Sequence, residues 1–227
     1  RHAEDPARGR EHQLSPAARL ARRPDRRHSP TAAPLGAAVS FARSGGLSAE
    51  RSGSVFLVGP MGAGKTAVGR RLARLLGLRF VDSDEVIVAR TGVDIAYIFE
   101  KEGEAGFRQR EREVIDALTR EPGVVLATGG GAVLLPENRE HLATRGTVVY
   151  LHASVAQQLA RTRHGTHRPL LHTADPGARL AELMAVREPL YREVADLVIE
   201  TDGRKVSAVA AEIARRLQAG VTLEASA

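Results

Sequence analysis

The sequence predicts an α/β protein, a parallel sheet with helices on both faces, formed by residues 54 to about 220. Three observations predict it. Five short apolar, β-rich runs recur along the chain: SVFLV (54–58), LRFV (78–81), VVLAT (124–128), TVVYL (147–151) and DLVIE (196–200). Between them lie segments with helical, polar-faced spacing: KTAVGRRLARLL, EVIVART, GFRQREREVIDALTR, ASVAQQLART, ARLAELMAVREPLYREV and KVSAVAAEIARRLQ. A glycine-rich stretch, GPMGAGKT, joins the first run to the first helical segment. Runs that are apolar at nearly every position are covered on both faces, and a helix between successive strands makes neighbours parallel.

Composition narrows the function classes. Of 227 residues, 43% are hydrophobic, enough for one sizeable core. The absence of cysteine excludes disulfides and thiolate metal sites. No uncharged apolar run approaches the roughly 18 residues of a membrane helix, so a cytoplasmic protein with no membrane partner is expected. The net charge is +6, but residues 1–53 hold ten Arg against five acidic groups, which accounts for +5 of it. The body of the chain is nearly neutral, and a nucleic-acid partner is not expected. Residues 1–53 are rich in Arg, Ala, Pro, Ser and Gly without an apolar period, and are expected to be disordered. They lack the apolar stretch of a secretory signal and are too acidic for a transit peptide. Residues 221–227 form a second short tail.

GPMGAGKT fits G-x-x-x-x-G-K-[ST] in the strand–loop–helix setting that this phosphate loop requires. Glycines let successive amides converge on phosphate oxygens, and the helix N-terminus adds a favourable dipole. Gly59, Gly62, Ala63, Gly64, Lys65, Thr66 and Ala67 are therefore the expected ATP-binding segment. Lys65 reaches the β- and γ-phosphates, and the Thr66 hydroxyl ligates Mg²⁺. VVLAT ends without a carboxylate, and the nearest suitable acids are Asp82 and Asp84 of FVDSD. With no long switch region or repeat, this favours a small-molecule kinase over a motor or signalling NTPase.

Asp82 and Asp84 follow a strand end, where an extended chain projects residues two apart to the same side. Gly129, Gly130 and Gly131 follow another, so all of them share the ligand-binding edge of the sheet with the phosphate loop. Three bare glycines let a small acceptor lie flat against backbone amides opposite the γ-phosphate. Asp84 accepts hydrogen bonds from acceptor hydroxyls, and Arg108 and Arg187 suit a carboxylate or other anion. The polar stretch ARTRHGTHRPLLH, within a segment of about 160–174, is expected to be a lid that delivers Arg168 to the transferring phosphoryl group. Histidines 141, 152, 164, 167 and 172 lack metal-ligand spacing.

GPMGAGKT, FVDSDEVI with TGVDIAYIF, GEAGFRQRE, VVLATGGGAV, VVYLHAS, RPLL and REPLY occur in the order and spacing of the shikimate kinases, which residues 54 to about 218 resemble. The resemblance implies a nucleoside monophosphate kinase-like fold, a five-stranded sheet in order 2-3-1-4-5 with a mobile lid. It implies transfer of the ATP γ-phosphate to the 3-hydroxyl of shikimate, in a monomer whose partners are these two small molecules. By position, Asp84, Arg108, Arg187 and Gly129–Gly131 resemble the shikimate-binding residues. Asp82 resembles the acid that holds Mg²⁺ through water beside Thr66. Lys65 and Arg168 look like the phosphoryl-stabilising pair, with Asp84 as third catalytic group; Arg161 and Arg204 fall near adenine-contacting positions. Val88 departs from the pattern, standing where many members carry an acid. Two rivals stand beside this reading: a gluconate kinase-like enzyme, and a catalytically dead ATP-binding partner protein.

Overall fold

The computed structural model describes residues 53–162 and 175–219. The tail at 1–52, residues 163–174 with Arg168 and three of the histidines, and residues 220–227 lie outside the described residues. Of the expected lid, only residues 160–162 are described, as the last turn of a helix.

Five strands form the sheet: β1 (Val55–Val58), β2 (Arg79–Asp82), β3 (Val124–Ala127), β4 (Thr147–His152) and β5 (Leu197–Glu200). All pairings are parallel and the order is β2-β3-β1-β4-β5, as the resemblance implies. Every residue of β1 is fully buried, as befits a central strand. Its alternation divides the interior. Val55 and Leu57 pack against α1 (Lys65–Leu76) and α7 (Val206–Gln218), through Val68, Leu72, Val209, Ile213 and Leu217. Phe56 and Val58 face the opposite core, built from α2 (Ser83–Thr91), α3 (Ile95–Thr119), α4 (Pro136–Arg145) and α6 (Pro176–Val194). Helix α5 (Val155–Thr162) follows β4. The result is three layers around one sheet.

Most predicted elements fall within two residues of those observed. Two do not. Helix α3 starts at Ile95 rather than near Gly106, capped by the Asp94 carboxylate, which accepts from the Tyr97 amide at 2.7 Å. It is broken at Gly103 (φ 69°, ψ −175°), and the paired glycines of KEGEAG conceal its first half. Helix α4, PENREHLATR, was not expected, because only Asn138 and Leu142 of its ten residues are buried and no apolar period results.

The turn from α4 into β4 packs closely. A Cβ at Gly146 would lie 2.5 and 2.7 Å from the ring of buried Phe56 and 2.9 Å from the Ser54 carbonyl oxygen. Gly146→Ala is expected to destabilise the protein by about 1–3 kcal/mol. Urea unfolding checks this, and an unchanged midpoint contradicts the packing described.

Candidate active site

The carboxyl ends of β1, β2 and β3 converge on one cavity of about 550 Å³. Parallel pairing sets Leu57 of β1 beside Ala127 of β3. One residue on, Thr128 donates to the Leu57 carbonyl twice, from its amide at 3.1 Å and its hydroxyl at 3.2 Å. These bonds hold the triple glycine against the phosphate loop. A Cβ at Gly130 would lie 3.5 Å from both the Gly59 carbonyl oxygen and the Met61 amide nitrogen.

The phosphate loop has the form its sequence demands. Gly59, Gly62 and Gly64 take positive φ of 141°, 79° and 89°. At Gly59 a Cβ would also meet the Leu151 carbonyl oxygen at 2.5 Å. Gly64 caps α1 without any side-chain hydrogen bond, and the first turn holds no acid. The first amides of the helix are therefore open to an anion. Lys65 Nζ donates to the Gly59 and Pro60 carbonyls at 2.7 and 2.8 Å, arching over the loop. Lys65, Thr66 and Ala67 line the cavity with Gly62 and Gly64; Gly59 and Ala63 form the buried back of the loop.

Asp82 and Asp84 do not lie on one extended segment, as their spacing suggested. Helix α2 begins at Ser83, so Asp82 ends β2 as the helix cap and Asp84 occupies the first turn. The Asp84 amide donates to Asp82 Oδ1 at 3.0 Å, while Thr66 donates to Asp82 Oδ2 at 2.7 Å. Both carboxylates still line the cavity. A hydroxyl and a carboxylate in contact at the phosphate loop form a hard-oxygen donor set, which suits Mg²⁺ held jointly with nucleotide phosphates and water. Among the described residues no cluster of three or more His, Cys, Asp or Glu forms a dedicated metal cage.

The triple glycine has a different reason from the one its sequence suggested. The protein's own side chains crowd it. A Cβ at Gly129 would collide with Glu111 and approach Asp84 Oδ1 to 3.0 Å, and one at Gly131 would collide with the Arg108 guanidinium. The Gly129 amide donates to Ser83 Oγ at 3.0 Å. The bare backbone thus admits a charged cluster, with the cavity beyond it.

Glu111 is the site residue that sequence reasoning missed. It lies three residues after Arg108 in α3 and is fully buried. Arg108 donates to Glu111 at 2.5 Å and to Glu104 at 2.9 Å. Glu111 Oε1 and Asp84 Oδ1 are buried and have no hydrogen-bond partner among the described residues. Burial raises Glu111 from 4.5 to about 7, against the pull of Arg108. Burial, then the nearby Asp82, raises Asp84 from 3.8 to about 6, with Lys65 and Arg108 opposing. Burial disfavours the charge of Arg108, but Glu111 and Glu104 outweigh it and raise its pKa. Ile95, Phe99 and Phe107 supply an apolar wall, the two rings 4.8 Å apart. Polar flanking sequence hid the first two.

Arg187, on α6, lines the same cavity and is 4% exposed. Arg161 also lines it; it donates to the Gly62 carbonyl at 2.9 Å and the Thr201 carbonyl at 2.9 Å. Arg204 is not among the lining residues; it donates to the Glu200 carbonyl at 3.0 Å and to Glu212 at 2.5 Å. Among the described residues, the structure thus brings Lys65, Thr66, Asp82, Asp84, Arg108, Arg161, Arg187 and Gly129–Gly131 together.

The family model "Shikimate kinase" matches residues 61–218. The chain belongs to the shikimate kinase family. A shikimate kinase of Halorhodospira halophila is 63% identical over 164 residues, covering 72% of this chain and 93% of that protein. One of Methylococcus capsulatus is 62% identical over 148 residues, covering 65% and 83%. Among solved structures, the shikimate kinase of Acinetobacter baumannii in complex with shikimate superposes with a TM-score of 0.72 at 51% identity, covering 73% of this chain and 93% of that one. The shikimate kinase of Aquifex aeolicus gives 0.63 at 35% identity, covering 73% and 96%. Membership of the shikimate kinase family removes the gluconate kinase-like rival.

The raised pKa of Glu111 has a consequence for stability. An acid whose folded pKa exceeds its unfolded one contributes most below about 4.5, and the contribution is lost as pH rises through about 7. The ligand-free protein is expected to lose thermal stability between pH 5 and pH 8, and Glu111→Gln to show a smaller loss. Thermal unfolding at both pH values checks it; an identical loss in the variant contradicts the buried-carboxyl assignment.

Proposed function

We propose that this chain catalyses transfer of the ATP γ-phosphate to the 3-hydroxyl of shikimate, yielding shikimate 3-phosphate and ADP for aromatic amino-acid biosynthesis. The observation that carries the proposal is the contact between Gly130 and the phosphate loop. It gives a triphosphate cradle and an anion-binding wall one common cavity.

The roles follow from chemistry. The first amides of α1 and Lys65 hold the β- and γ-phosphates. Thr66, with Asp82 hydrogen-bonded to it, holds Mg²⁺, which supplies charge neutralisation on the phosphates when bound. Arg108 and Arg187 take the shikimate carboxylate in paired hydrogen bonds. Asp84 orients the ring hydroxyls. Burial raises its pKa to about 6, which makes it a better proton acceptor than an ordinary aspartate while it remains largely ionised near neutral pH. Arg168 is assigned to the transferring phosphoryl group by its place in RPLL, and Arg161 and Arg204 to the adenine end. Phosphoryl transfer has a loose transition state, so positioning and charge neutralisation supply most of the catalysis, with no phosphoenzyme.

The direct test is ADP release by the full chain with Mg-ATP and either shikimate or gluconate. Release with shikimate alone is expected; release with gluconate alone, or with neither, overturns the proposal. Lys65→Met is expected to abolish turnover with the fold retained, measured by ADP release and circular dichroism, and full activity would remove the phosphate-cradle assignment. Arg108→Ala is expected to raise the KM for shikimate by at least tenfold, as loss of a charge-assisted hydrogen bond does. Its effect on the KM for ATP is expected to be much smaller, and steady-state kinetics with each substrate varied decides.

A further inference from the structure

Arg187 and Tyr191 lie four residues apart in α6, on one face of the helix. The face they share points at the acceptor side of the cavity, yet only Arg187 lines it. Tyr191 is 1% exposed and donates its hydroxyl hydrogen to the Gly130 carbonyl. The Arg187 guanidinium reaches the same glycine: a Cβ on Gly130 would lie 3.8 Å from its Nη1. The Tyr191 hydroxyl and the Arg187 guanidinium therefore meet at the backbone of Gly130.

The ring that carries this hydroxyl is held on its flat side. Tyr191 stacks on Tyr150 with centroids 5.0 Å apart and planes 26° apart. Tyr150 is fully buried, meets His152 edge-on at 5.8 Å, and has the Arg192 guanidinium over its ring at 5.9 Å. The hydroxyl has little freedom to leave Gly130.

Arg187 needs such support more than Arg108 does. Arg108 is clamped between Glu104 and Glu111. Burial pulls the Arg187 pKa down, and Arg108 adds repulsion.

Resting on the reading that Arg187 binds the acceptor carboxylate, we propose that Tyr191 is a positioning residue for the acceptor: its hydroxyl anchors the Gly130 carbonyl beside the Arg187 guanidinium, so the anion-binding arginine and the glycine backbone are held in one fixed geometry. Burial pushes the Tyr191 pKa above its ordinary value, which keeps the hydroxyl protonated and a donor at neutral pH. The triphosphate side of the cavity is held by other bonds, from Lys65 and Arg161. Loss of the hydroxyl is therefore felt at the acceptor and not at the nucleotide.

The test uses Tyr191→Phe, which keeps the stacked ring, together with Arg187→Ala and the double variant. Tyr191→Phe is expected to raise the KM for shikimate roughly tenfold, the scale of leaving a buried hydrogen-bond acceptor unpaired. The KM for ATP and kcat are expected to stay within about twofold. Arg187→Ala is expected to raise the KM for shikimate further, and adding Tyr191→Phe to it is expected to cause little additional loss, because the Gly130 anchor matters to the acceptor only through the arginine beside it. A tenfold effect of Arg187→Ala with none from Tyr191→Phe overturns the positioning role and leaves the acceptor reading standing. An unchanged KM for shikimate in Arg187→Ala overturns both. Equal losses for ATP and shikimate in Tyr191→Phe, with a lowered melting temperature, show a purely structural role and overturn the proposal.

Discussion

The parallel pairing of β1 with β3 is the constraint on which the rest of the site depends. Each strand ends in a glycine-rich segment, and the register that sets Leu57 beside Ala127 brings those two segments into contact. Thr128 fastens them with two bonds to one carbonyl. Slipping that register would separate the phosphate loop from the triple glycine. The two buried cores exist on either side of β1 because its alternate residues face opposite helical layers, so the packing that stabilises the fold also fixes the chemistry.

Around that junction the protein accumulates buried charge. Asp84, Glu111, Arg108 and Arg187 share one wall, and two of the carboxylate oxygens have no hydrogen-bond partner among the described residues. Burying such groups costs stability unless each finds a counterpart. Glu111 and Arg108 answer one another, and the glycines at 129 and 131 leave room for them. Both of those carboxylate oxygens are buried against Gly129. The acceptor proposed above, an anionic ring, would bring a carboxylate to the two guanidiniums that line the cavity.

Much of this was legible in the sequence because it is encoded locally. The phosphate loop is a contiguous motif whose glycine dihedrals can be anticipated residue by residue, and the strands are short and uniformly apolar. What was hidden is encoded in three dimensions. Glu111 reads as one of several charges in RQRERE, and nothing in that run shows that its carboxylate is buried against Gly129. The same holds for the glycines: the sequence shows bare backbone and leaves open whether substrate or protein fills the space. Helix α4 escaped because it buries too little to show a period. Asp82 and Asp84 were assigned to the right edge but the wrong local geometry, since a helix cap and a strand end share a sequence signature. Val88 is exposed, so the departure expected there from the family pattern leaves no buried partner unanswered.

The central claim is that one cavity holds a triphosphate and shikimate in reacting contact. A crystal structure with shikimate and a non-hydrolysable ATP analogue tests it most directly. The account predicts the γ-phosphate beneath Lys65, the shikimate carboxylate on Arg108 and Arg187, and the 3-hydroxyl between Asp84 and that phosphate. Shikimate bound away from the triple glycine, or on the far side of it from the phosphate loop, would contradict it.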